Sequence, residues 1–226
     1  MKVLKNITVL LFLIFINSEI ISAQENRPVS NYFGANAGYS MSRINTTIIN
    51  GLNFMSGYHA GLVYQNFNNK NFGSQIEINY SERGGTDRFE KKYLTDTLGI
   101  PDEIDFNLKL SYIELDWMTV LQIGKNKNKL NILLGPNVSY LLSQKITFIE
   151  TRLESGYPDK INRNFDLGAN IGFNYARILN SGKIDIEIRY THGFYSLYES
   201  TSINNSIVNQ NQVLTLKVAY LFKIGK

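Results

Sequence analysis

From Gly182 to Tyr195 the chain alternates without a slip. Ile184, Ile186, Ile188 and Tyr190 stand on one side of an extended backbone, with Asp185, Glu187, Arg189 and Thr191 on the other. Side chains in a strand change face at every residue, so this pattern predicts a strand with one apolar face. The same period recurs along the chain. Within 32–41, Phe33, Ala35, Ala37, Tyr39 and Met41 share a face; within 57–65, Tyr58, Ala60, Leu62 and Tyr64 do. Segment 71–83 aligns Phe72, Ile76, Ile78 and Tyr80, and a segment from about 107 to 123 aligns Ile113, Leu115, Trp117, Leu121 and Ile123. Leu130, Ile132, Leu134, Val138, Tyr140 and Leu142 line up in 129–144, and Phe165, Leu167, Ile171, Phe173 and Tyr175 in 163–176. Leu214, Leu216, Val218, Tyr220 and Phe222 complete the set in 212–222. No long stretch carries helical periodicity, so the mature chain is predicted to be all-β.

The spacing between strands separates a membrane barrel from a soluble sandwich. Short turns, "NFNNK", "KNKN" and "LNSG", join the second strand to the third, the fourth to the fifth and the sixth to the seventh. The other connections, about 42–56, 84–106, 145–162 and 196–211, are long. Outer membrane barrels have short periplasmic turns and long external loops, whereas a sandwich has no reason for strict alternation. The aromatic residues agree. With the strands running up and down, Phe33, Tyr64, Phe72, Tyr175, Tyr220 and Phe222 fall near one end, and Tyr39, Tyr58, Tyr80, Tyr140, Phe165 and Tyr190 near the other. Two such girdles flanking apolar residues match the two interfaces of a bilayer. The opposite face, rich in Gly, Asn, Ser and Gln, is too polar to form an apolar core, so the isoleucines of 184–188 are expected to face lipid. The expected fold is therefore an eight-stranded antiparallel up-and-down transmembrane β-barrel.

The first residues set the route to that membrane. Lys2 and Lys5 precede an apolar run from Val9 to Ile16, and Ala23 offers a small residue for cleavage. This is the pattern of a secretory signal peptide over 1–23, leaving 24–226 as the barrel domain. Phe222 near the end of the last strand looks like the insertion signal of outer membrane barrels, although Lys223 to Lys226 extend past it. The absence of cysteine excludes disulfides, thiol catalysis and lipidation at a signal-peptide cysteine. A net charge of +4, spread along the chain apart from "GKNKNK" and "RFEKK", gives no basic patch for nucleic acid.

Candidate chemistry collects on the polar face. Glu77, Glu114, Asp116, Asp185, Glu187, Arg189 and Lys217 are expected to share the lumen as a structural charge network. An eight-stranded barrel is about wide enough for its own side chains, which argues against a diffusion pore. Acids outnumber bases in this set, so the excess is expected to be protonated, solvated or met by loop cations; a cation pathway or cation-binding site is the alternative. His59 falls on the lumen side and His192 on the apolar side, with no serine at a diagnostic spacing, and the pair Asp185 and Glu187 is explained more simply by salt bridging than by acid–base work. Gly34, Gly38, Gly168 and Gly172 relieve crowding on the inner face and do not form a nucleotide-binding loop. No catalytic residue, metal site or cofactor is expected.

Four segments, "LLGPNVSYLLSQK" (133–145), "FDLGANIGFNYAR" (165–177), "IDIEIRYTHGF" (184–194) and "LKVAYLF" (216–222), resemble the PorT-like outer membrane β-barrel proteins of Bacteroidetes. "YIEL" (112–115) is similar to a Tyr-Leu-Glu-Ile segment of that family, with Asp116 in place of the proline usual after it. The resemblance implies a bacterial outer membrane location. It also implies a link to protein secretion, since one member is needed for export of gelatin-degrading proteases by the type IX pathway. The expected partners are outer membrane lipid and a protein engaged through the external loops or the periplasmic turns. A surface-binding barrel, a lipid-modifying barrel enzyme and a soluble ligand-binding barrel are the alternatives.

Overall fold

The computed structural model describes residues 30–46, 53–90, 103–149, 164–194 and 209–224. The predicted signal-peptide segment and most of the long connections lie outside these residues. Eight strands follow one another in chain order: β1 (Ser30–Thr46), β2 (Met55–Phe67), β3 (Phe72–Glu90), β4 (Glu103–Ile123), β5 (Asn128–Ile149), β6 (Phe165–Ile178), β7 (Gly182–Gly193) and β8 (Asn209–Ile224). Each pairs antiparallel with its sequence neighbour, and β8 returns to pair with β1, closing the barrel. Closure leaves no free edge along the bilayer-spanning wall, which is what lets a sheet cross hydrocarbon. At the β1–β8 seam the strands approach so closely that a Cβ on Gly34 would lie 1.9 Å from the Tyr220 carbonyl oxygen.

The alternation orients the wall as the pattern predicts. On β7, Ile186 is 47% exposed while Glu187 is 2% exposed. Phe33, Leu62, Ile78, Leu115, Leu134, Phe173 and Leu216 are likewise exposed on the outside. Such a continuous apolar exterior is unstable in water and matched to lipid. The register brings the aromatic residues into bands: Tyr39 is opposite Tyr58 and Tyr140 opposite Phe165 at one end, and Phe33 is opposite both Tyr64 and Phe222 at the other. The three short turns share the second end, here the turn end; the long connections share the loop end.

Two expectations need correcting. Strands β3, β4 and β5 run past Tyr80, Ile113 and Tyr140 as far as Glu90, Glu103 and Ile149, into segments expected to be loop. Beyond the outer girdle lipid no longer enforces alternation, but the backbone ladder continues. The interior also has apolar layers. Tyr32, Val63, Phe67, Met118, Val120, Leu133, Ala219 and Leu221 cluster near the turn end, and Ile44, Leu108, Leu110 and Tyr112 near the loop end. These residues are exceptions scattered through a polar phase, and the register stacks them at two heights.

Candidate functional site

Glu77 on β3 is the hub of the interior. Arg189 on β7 grips it with two parallel bonds, Nη2 to Oε1 at 2.8 Å and Nη1 to Oε2 at 3.0 Å. From β8, Lys217 Nζ donates to both Glu77 oxygens at 2.7 Å. The same Arg189 reaches Asp116 Oδ2 at 3.2 Å and, through Nε, Glu187 Oε1 at 2.6 Å. Asn137 and Asn170 donate to Asp116 Oδ1 at 2.7 and 2.6 Å, and Asn79 donates to Oδ2 at 3.0 Å. These groups meet because the ladder sets them at one height: Glu77 is opposite Asp116, Asp116 opposite Asn137, and Glu187 opposite Lys217. Buried charges are tolerated only when paired and hydrogen-bonded, and these are.

The remaining two carboxylates of the predicted set sit apart from this hub. Glu114 pairs with Arg83 at 2.6 Å toward the loop end, where the guanidinium also lies 5.1 Å from the centre of the Tyr112 ring. Asp166 lies 3.9 Å from Arg83 and accepts from Asn211 at 3.1 Å. Toward the turn end, Asp185 pairs with Lys183 at 3.1 Å and accepts from Gln65 at 3.2 Å. The Lys183 ammonium stands 5.0 Å from the Tyr32 ring centre and 5.2 Å from that of Phe67. Thus the excess acids, expected to be protonated, solvated or met by loop cations, meet cations on strands, Arg83 and Lys183. Both share the inward phase of Glu77 and Asp185, and that phase is the signal that marks them.

The interior is closely filled. At the level of Glu77 and Lys217 the free space is about 10 Å3, the limit for a single water. Below it Met118, Val120, Leu133 and Leu221 have no measurable exposure. A larger chamber of about 180 Å3 opens at the turn end among Tyr32, Phe67, Lys70, Gln122, Lys129 and Lys183. Both oxygens of Glu77 receive cations, so the hub presents no poised acid or base. His59 is buried inside with no hydrogen-bond partner for Nε2 among the described residues. His192 lies on the other side of the wall, stacked at 6.3 Å on Tyr190 and edge-on at 5.9 Å to Phe194. The two imidazoles therefore do not share a site. Among the described residues no group of three or more His, Cys, Asp or Glu is placed to hold a metal ion.

Comparison with known proteins places this architecture. The family model for the outer membrane protein beta-barrel domain matches residues 22–199. The chain belongs to that family. Its place is accordingly in the outer membrane, as an integral barrel surrounded by lipid, and by the rule for such barrels the short turns face the periplasm. Similar solved structures include the attachment invasion locus protein Ail of Yersinia pestis, at 16% identity over 85% of this chain and 99% of that one, with a TM-score of 0.42. The outer membrane protein OprG from Pseudomonas aeruginosa has 12% identity over 88% of this chain and 96% of that one, with a TM-score of 0.47. Neisserial surface protein A has 12% identity over 86% and 99%, with a TM-score of 0.42. No curated protein matches the chain.

Proposed function

We propose that this protein is a non-enzymatic, non-conducting outer membrane barrel that acts by holding a partner at one of its ends. The observation that carries this reading is the filled interior: the apolar layer of Met118, Val120, Leu133 and Leu221 beneath a paired ion cluster leaves no aqueous path. In this reading Glu77, Glu114, Asp116, Asp185, Glu187, Arg189 and Lys217 hold the wall together from within, and residues 1–23 are removed on export. The four segments similar to the PorT-like proteins fall on β5, β6, β7 and β8, which supports that narrower membership and, through it, a role beside a secretion apparatus.

Partner capture outside the cell has its own support. Strands β3 to β5 project beyond the outer girdle, and segments that a scaffold holds clear of the membrane are well placed for recognition. The test combines two measurements. Purified protein in a planar bilayer is expected to give no conductance steps; regular steps would overturn the sealed interior. A photo-crosslinking amino acid placed in cells at Asn126 on a turn and at Lys145 on the β5 extension is expected to give an adduct at one of them. With no adduct at either position the binding role is lost.

A further inference from the structure

Among the described residues the turn end is basic in excess, with Asp185 as its one carboxylate. Segments 66–73, 121–130, 176–184 and 220–224 contain Lys70, Lys125, Lys127, Lys129, Arg177, Lys183 and Lys223, and neither aspartate nor glutamate. The loop end mixes both signs, as the pair Lys109 and Glu82 shows. Within this basic rim lies the 180 Å3 chamber, with Tyr32 and Phe67 in its wall. Its deepest cation, Lys183, is already neutralised by Asp185. Lys70 and Lys129 are not: among the described residues neither has a carboxylate within ion-pair distance. Their turns are nevertheless held in place. Lys129 Nζ donates to the Gly124 carbonyl at 2.9 Å, and the Lys70 carbonyl accepts from Gln122 at 3.0 Å. Unbalanced like charges around a concavity repel one another and concentrate anions there.

We propose that the periplasmic mouth is a docking site for an acidic segment of a periplasmic protein, with one carboxylate side chain entering the chamber between Lys70 and Lys129. Its neighbouring acids lie over Lys125, Lys127 and Lys223. This rests on the partner-binding reading above and names the chemistry of the partner. The phosphates of the inner leaflet are a second source of negative charge. They surround the outside of the wall, where they reach Arg177, whereas Lys129 and Lys183 are on the inward phase. A chain arriving from the periplasm reaches both groups.

The test uses the full mature protein in nanodiscs of zwitterionic lipid, with a fluorescent oligo-glutamate peptide and its oligo-glutamine counterpart as probes. Oligo-glutamate is expected to bind, more weakly as salt rises, and oligo-glutamine not to bind. K70Q/K129Q is expected to weaken binding by about tenfold, as loss of complementary charges at an interface does. K125Q/K127Q, on an exposed turn, is expected to weaken it less, and it carries the test if the first variant fails to fold. Equal binding of the two peptides, or binding unchanged in both variants, overturns the proposal. So does loss of oligo-glutamate binding when phosphatidylglycerol is added to the nanodisc, which would make the mouth a headgroup site. An adduct at Asn126 in cells without oligo-glutamate binding sinks this inference and leaves the partner-binding reading standing; no adduct at either position sinks that reading itself.

Discussion

Arg189 and Lys183 are both 2% exposed, both on β7, and surrounded in opposite ways. Arg189 in the middle of the barrel is enclosed by Glu77, Asp116 and Glu187. Lys183 at the turn end has one carboxylate, Asp185, and rests on the rings of Tyr32 and Phe67. The middle hides charge by pairing it, and each carboxylate of the hub has a cation. The turn end covers one cation with aromatic surface, and among the described residues its neighbours Lys70 and Lys129 have no counter-ion within ion-pair distance. Charge therefore serves cohesion in the middle and is available for recognition at the mouth.

The harshest way to break this comparison is to remove the central cation. Arg189→Met leaves Asp116 and Glu187 without their strongest partner, while Glu77 keeps Lys217. Stranding buried carboxylates costs about 3–5 kcal/mol. Urea unfolding in lipid vesicles is expected to show a loss of that size; a change near zero would mean that the cluster is solvated and the interior is not sealed. Moving a charge by one residue tests the wall from the other side. Ile186→Arg places a cation toward lipid, next to a position where a charge is buried and paired, and is expected to cost about 2–4 kcal/mol near the midplane. A neutral outcome in the same unfolding measurement would contradict the lipid-facing assignment of the isoleucines.

The turn end is expected to be more forgiving. Lys183→Met keeps an aliphatic chain against Tyr32 and Phe67 and removes the ammonium from Asp185, whose Oδ2 still accepts from Gln65. The expected loss is about 3 kcal/mol, the low end for a buried carboxylate that loses its cation, because one carboxylate is stranded here and two in Arg189→Met. If Lys183→Met costs as much as Arg189→Met, the contrast between the two regions disappears.

Much of this was legible in the chain, and the boundary of legibility is physical. The faces of Ile184 to Tyr190 and the girdle pairs follow from a period of two imposed by lipid on one side. The strand extensions at 145–149 lie where lipid no longer selects apolar residues, so the pattern there loses its information while the ladder continues. Val63, Leu133 and Leu221 each look like an isolated exception in a polar phase, and only the register shows that they form a layer. The pairing of Arg189 with Glu77 joins residues 112 apart across the lumen, which no local pattern encodes. Arg83 and Lys183 were within reach, because their phase alone puts them among the acids they serve.

The smallest expected effect lies outside the wall. Glu82 and Lys109 stand just beyond the outer girdle, with Lys109 Nζ 2.7 Å from Glu82 Oε1 and the Tyr80 hydroxyl 3.1 Å from the same atom. Partial burial raises the Glu82 pKa, but hydrogen bonds from Lys109 and Tyr80 outweigh it and hold the carboxyl below its usual range. The bond to Glu82 raises the pKa of Lys109. A carboxyl with a lowered folded pKa contributes stability above its unfolded value, about 4.3, and loses it as the pH falls through the folded value. For the raised lysine the contribution is full below about 10.4 and is lost as the pH rises through the folded value. Lys109 is 44% exposed, so solvent and salt screen the pair. A double-mutant cycle of Glu82→Gln and Lys109→Met is expected to give no more than about 1 kcal/mol at neutral pH, fading on acidification below the carboxylate range. A coupling as large as the loss in Arg189→Met would place this pair in a dry environment, and the outer girdle would have to lie beyond it.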